Sequence, residues 1–145
     1  MPIKTFENFI SQDIIPIINQ QRRGQSFEIS FEQKTNNIIV PIEILGAYNI
    51  LPLEIFNFII RELMFANNNS LRRGNGNARG ATLGSEACPF ASIEGLIASK
   101  FYDKKEGDTV FRRISTVANI LVAAGICEHG VGVLILKTEF RNKLK

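Results

Sequence analysis

Apolar residues at Phe6, Phe9, Ile10, Ile14, Ile17 and Ile18 recur at spacings that keep to one face of a helix, so residues 4–20 are expected to form an amphipathic helix. Pro16 interrupts that pattern. In a helix interior its ring clashes with the carbonyl of Gln12 and a hydrogen bond is lost, so a kink or two short helices are expected there. Gly24 is the stop signal. The period then changes to two: Phe27, Ile29 and Phe31 alternate with Ser26, Glu28, Ser30 and Glu32, as in a strand with one buried face. Residues 38–45 are apolar apart from Glu43. The connector Gln33-Lys34-Thr35-Asn36-Asn37 carries asparagines that tolerate left-handed backbone, so the two strands are expected to form an antiparallel hairpin. Pro41 cannot donate to a ladder and puts its strand at an edge or a bulge.

Pro52 suits the first turn of a helix, here expected over about 52–66. Its apolar residues leave only a narrow polar strip of Glu54, Asn57 and Arg61, the pattern of a helix buried on most sides or held in a subunit interface. Residues 67–84 read differently. They run through Asn67-Asn68-Asn69-Ser70 and Arg72-Arg73-Gly74-Asn75-Gly76-Asn77-Ala78-Arg79-Gly80, with little apolar content, and are expected to be a flexible basic loop. The last third reads helix, helix, hairpin. Ser92 is placed to cap a helix whose apolar face is Ile93, Leu96, Ile97 and Phe101. Asp108 is placed to cap a second helix that ends at Gly125. Strands at Ile126-Cys127 and Val131 to Leu136 flank Glu128-His129-Gly130.

The chain has 145 residues, enough for one core without cross-links. Its two cysteines, Cys88 and Cys127, make no disulfide framework and are expected to be small core residues in a reducing, cytoplasmic setting. No apolar run reaches the length of a membrane span, and Glu7 and Asp13 within the first apolar stretch argue against a cleavable signal. The net charge of +3 is unevenly spread. Residues 1–66 hold five basic against seven acidic side chains, whereas residues 67–145 hold twelve against seven. A polyanion would therefore meet the second half.

On a helix over 109–124, Val110, Ile114, Val117, Leu121 and Ala124 cluster on one side. Arg112, Ser115, Thr116, Asn119 and Ala123 cluster on the other, with Arg113 at the flank. Arginine and asparagine can make paired contacts to base edges, and serine and threonine can bond bases or phosphates. From Ser92 to Lys137 the chain resembles a winged helix-turn-helix module. The segment Thr109-Val110-Phe111-Arg112-Arg113-Ile114-Ser115-Thr116-Val117-Ala118-Asn119-Ile120-Leu121-Val122-Ala123-Ala124-Gly125-Ile126 is similar to the recognition helix of that superfamily and its exit into the wing. The resemblance covers about a third of the chain. It implies a supporting helix at Ser92 to Tyr102, a recognition helix at 109–124 and a wing at Cys127 to Leu136. The segment Asp103-Lys104-Lys105-Glu106-Gly107-Asp108 is longer than the usual tight turn between those helices.

Together these readings make an α+β protein. A helix, hairpin and apolar helix over 1–66 would serve dimerisation, and the basic loop 67–84 would lead into a winged-helix module with a basic tail over 85–145. The expected function is binding of double-stranded DNA by a homodimer, in transcription regulation or as the recognition part of a DNA-processing system. Arg112, Arg113, Ser115, Thr116 and Asn119 would face bases or nearby phosphates. Arg72, Arg73, Arg79, Lys104 and Lys105 would attract the backbone, and His129 would touch a phosphate from the wing. No cofactor, metal or catalytic residue is expected. Winged helices also serve as protein-contact modules, which is the main alternative. A second is a metal-dependent nuclease, because Glu32-Gln33-Lys34 with Asp13 or Glu28 loosely resembles the Glu-x-Lys pattern of restriction-type folds. The glycines of the basic loop are not followed by Gly-Lys-Ser/Thr, so a nucleotide-cradling P-loop is not expected.

Overall fold

A computed structural model describes residues 14–18, 26–32, 34–41, 45, 49–75, 82–111 and 113–143. Four strands form an antiparallel meander: β1 (Ile14–Ile18), β2 (Ser26–Glu32), β3 (Asn37–Ile39) and β4 (Ile50–Pro52), in that spatial order. The expected N-terminal helix is thus corrected at Ile14–Ile18, which is a strand; the rest of 4–20 lies outside the described residues. Ile-Ile-Pro-Ile-Ile is rich in β-branched residues, and Pro16 is tolerated because β1 is an edge strand with β2 as its one neighbour. Ile15 stands opposite Ile29, and Ile17 opposite Phe27.

The β2–β3 hairpin forms as expected, its turn including Asn36 at φ 56°. Strand β3 ends before Pro41, shorter than its apolar run. Ile38 faces Leu51 of β4 across the ladder, and both are buried. The Leu53 N–H then donates to the Asn36 carbonyl at 2.8 Å, so the hairpin turn receives the start of the next helix.

Helix α1 (Leu53–Phe65) follows Pro52, as the sequence predicts. It buries Leu53, Ile55, Phe56, Ile59, Ile60 and Leu63, and it packs on the later helix Ile93–Phe101 and strand Val133–Leu136. The apolar surplus that suggested a dimer interface is therefore taken up by the chain's own core. Phe65, at the helix end, is exposed. Asn69, in a short 3-10 turn (Asn67–Asn69), closes the helix by donating its carboxamide to the carbonyls of Leu63 (3.2 Å) and Met64 (3.0 Å). Asn68 and Asn69 hold positive φ, a conformation that asparagine tolerates better than most residues.

The basic loop predicted from residue 67 is corrected in its first part. Ser70–Arg72 is strand β5, the edge of a second antiparallel sheet of order β5-β7-β6, with β6 at Cys127–His129 and β7 at Val133–Leu136. Leu71 pairs with Leu134, the strand's apolar anchor. Residues 76–81 lie outside the described residues.

Helix α2 (Ile93–Phe101) has the expected cap: the Ser92 hydroxyl accepts from the Gly95 N–H at 3.1 Å. Helix α3 runs only from Ile114 to Ala123, where the sequence pattern starts it at Thr109. Thr109 instead bridges to Thr82 in extended backbone. The Asp108 carboxylate accepts from the Lys105 N–H at 2.8 Å, and so closes its own turn rather than capping α3. Helix α4 (Thr138–Lys143) follows β7. Ile29, Ile38 and Leu51 of the first sheet share one core with α1, α2, α3, Leu134, Leu136 and Phe140.

Candidate nucleic-acid interface

The proposed reading face of α3 is covered. Thr116 and Asn119 are 6% and 8% exposed, every residue from Thr116 to Leu121 is buried, and Ser115 is half-buried. The helix lies against β1 and β6. Arg113 is 4% exposed: its guanidinium stacks on the Tyr102 ring at 3.6 Å, and Nη1 donates to the Phe111 carbonyl at 3.2 Å. The assignment of Arg113, Thr116 and Asn119 to base edges is therefore corrected. Starting the helix at Ile114 takes Arg113 out of it. What remains is Ser115, Thr116 and Asn119 among aliphatic residues, too little polarity to hold a face in water. Arg112 and Arg79 lie outside the described residues.

Three other expected residues do come together, at the edge of the second sheet. Strand β5 ends at Arg72, and Arg73, Gly74 and Asn75 continue alongside the turn Gly130-Val131-Gly132 that joins β6 to β7. The backbone fixes this placement. The Arg73 N–H donates to the Gly132 carbonyl (3.0 Å), the Arg73 carbonyl accepts from the Glu94 N–H (2.9 Å), and the Asn75 N–H donates to the Ala87 carbonyl (2.8 Å). Gly74 has φ +78°, and a Cβ there would stand 2.5 Å from Ser92 Oγ. Only glycine lets the chain pass the α2 cap this closely.

Between this segment and the hairpin lies an open cleft of about 530 Å³, lined by Arg72, Arg73, Asn75, Ala87, Val131 and Val133 with the intervening glycines. Among the described residues that line it, none is acidic. Arg73 Nη1 lies 3.0 Å from Nδ1 of His129, 56 positions further along the chain. A guanidinium only donates, so Nδ1 accepts and the ring proton sits on Nε2. Burial and then the Arg73 charge hold the His129 pKa below its ordinary value, which favours the neutral ring. Arg72 is exposed and reaches the Glu86 carbonyl at 3.4 Å. Val131, at the hairpin tip, is fully exposed.

Lys104 and Lys105 sit on another turn. Lys105 Nζ lies 3.8 Å from the Asp103 carboxylate, and the Lys104 N–H donates to Ala98. Sequence reasoning missed Asn75 and Val131 as members of a site. The signal for Val131 was a lone aliphatic residue between two glycines at a strand turn.

Glu32 is exposed and accepts from the Thr35 hydroxyl at 2.5 Å, and Lys34 is exposed in the same turn. Asp13 lies outside the described residues. Among the described residues, no cluster of three or more His, Cys, Asp or Glu side chains is placed to hold a metal ion. Both cysteines are buried free thiols, and burial pushes the Cys127 thiol far up. No helix among the described residues is long and apolar enough to cross a membrane. Comparison with protein-family models, curated proteins and solved structures finds no match to this chain.

Proposed function

We propose that this protein binds double-stranded DNA through the β6–β7 hairpin and the Arg72–Asn75 segment beside it. In terms of the winged-helix resemblance, the contact surface is the wing rather than the recognition helix. The observation that carries this reading is one open cleft lined by Arg72 and Arg73, with no acidic side chain among its described lining, beside an exposed hairpin tip and with Arg73 held by His129. The excess of basic residues after position 67 supports it. Guanidinium groups on an exposed edge attract phosphates without reading sequence, so the binding is sequence-tolerant and steeply salt-dependent.

Fluorescence anisotropy of random duplex at two salt concentrations tests this. Salt-dependent binding without metal, with the strands left intact, is the expected result. Arg72→Ala should weaken all sequences alike and reduce the salt slope by about 1. A protein with no salt-dependent affinity for duplex would overturn the reading in favour of a protein-contact module. Cleavage requiring Mg²⁺ and lost in Glu32→Ala would replace it with the nuclease. A homodimer would dock through what α1 leaves outside the core, and Phe65 at its end and Ile50 on the β4 edge are the exposed apolar groups there. Light scattering on the wild type and Phe65→Ser checks this part of the proposal.

A further inference from the structure

We infer that the cleft between Asn75 and the β6–β7 turn takes one unpaired nucleotide at the end of a DNA strand, a ligand that a duplex-binding wing alone would not select. This deepens the DNA-binding reading and rests on it. A cleft of about 530 Å³ falls within the range of about 300–1,000 Å³ typical of sites that hold whole small molecules, and far exceeds what one backbone phosphate fills.

The lining has two chemical halves. Arg72 and Arg73 line one end and bring positive charge that favours a phosphate. Val131, Val133 and Ala87 supply apolar surface for a sugar and a base face, and Asn75 brings a carboxamide, a group that pairs with base edges. A site for backbone phosphate alone has no use for the second half.

The hairpin tip supplies the rest. Val131 projects fully into solvent between Gly130 and Gly132, with no core role to account for an aliphatic side chain. Apolar side chains on DNA-binding edges act as wedges between base steps. Here the wedge stands at the mouth of the cleft, so a base displaced by Val131 has a place to go. Unpairing costs least where a base is already unpaired, so strand ends are selected over continuous duplex. The glycines matter to this geometry. A Cβ at Gly130 would come within 2.6 Å of Val133 Cγ2, on the cleft wall, and Gly132 has φ +71°.

The test compares two labelled duplexes of equal paired length at the same salt, one blunt and one with a three-nucleotide overhang. The overhung duplex should bind about tenfold more tightly than the blunt one. Val131→Gly should bring the overhung duplex down to the affinity of the blunt one, whereas Arg72→Ala should weaken both duplexes alike. Adenosine monophosphate should compete for the overhung duplex and shift the amide resonances of Arg72 to Asn75. Equal affinity for the two duplexes would overturn the inference and leave the DNA-binding reading standing. Amide shifts with the mononucleotide but no overhang preference would make a free nucleotide the ligand and overturn the strand end. Loss of binding to both duplexes would overturn the DNA-binding reading itself.

Discussion

Glu94 is fully buried on α2, and its carboxylate oxygens accept the N–H groups of Arg113 (3.0 Å) and Ile114 (3.3 Å) at the start of α3. Arg113 makes no side-chain cap bond of its own, so a residue 19 positions earlier in the chain closes this helix end. Glu94→Ala would leave two donors buried without that acceptor and should cost about 2–4 kcal/mol, read from urea unfolding. Gly74→Ala combines a positive φ with a Cβ in the place of Ser92 Oγ, and should lower stability by about 1–3 kcal/mol. His129, the sole histidine, gives a pH signature. Its pKa in the fold lies below 6.5, so the unfolded chain binds the proton more readily. Stability from this group is therefore complete above about pH 6.5 and falls as the pH drops through that value, levelling off below the folded pKa. Urea unfolding between pH 7 and 5 should show this decline, and His129→Gln should flatten it. Burial sets this direction first, and the Arg73 charge adds to it.

At the scale of elements, α3 and the β6–β7 hairpin exchange the roles that the sequence pattern suggests. The face arithmetic for α3 assumed a helix beginning at Thr109. The first turn is lost because Thr109 bridges to Thr82 and the helix gains its cap only at Arg113 and Ile114. Without Arg113 the segment is aliphatic enough to be buried on nearly all sides. Asn119→Ala should consequently lower the melting temperature while leaving duplex affinity and sequence preference unchanged, a pairing of calorimetry with anisotropy. The hairpin behaves oppositely. Val131→Asp adds a negative charge at a fully exposed tip, so it should leave the melting temperature within about 2 °C and weaken duplex binding at least several-fold. The β2–β3 hairpin, α1 and the Ser92 cap were legible because period, turn residues and capping chemistry are local properties. Strand β1 was not, since isoleucines around Pro16 fit a helix face as well as an edge strand until β2 is known to lie alongside.

For the whole molecule, one core joins the first sheet, all three longer helices and the β7 strand. The three-stranded sheet takes its β5 edge, Ser70–Arg72, from the segment that precedes residue 85. A fragment of residues 85–145 would lose both β5 and the α1 side chains that pack against β7. It should fail to fold, which circular dichroism and dispersion of amide resonances would show. The full chain should unfold in a single cooperative step. From the sequence alone come the α+β mixture, the position of α1 and α2, the hairpin turns and the basic bias of the second half. These follow from side-chain spacing within a few residues and from charge counted along the chain. Which basic groups share a surface was decided only by tertiary structure. Arg73 and His129 are distant in the chain and meet through β5–β7–β6 pairing, whereas Arg113, beside a helix that looked exposed, stacks beneath Tyr102. Exposure depends on what else is packed alongside, and no local pattern carries that information.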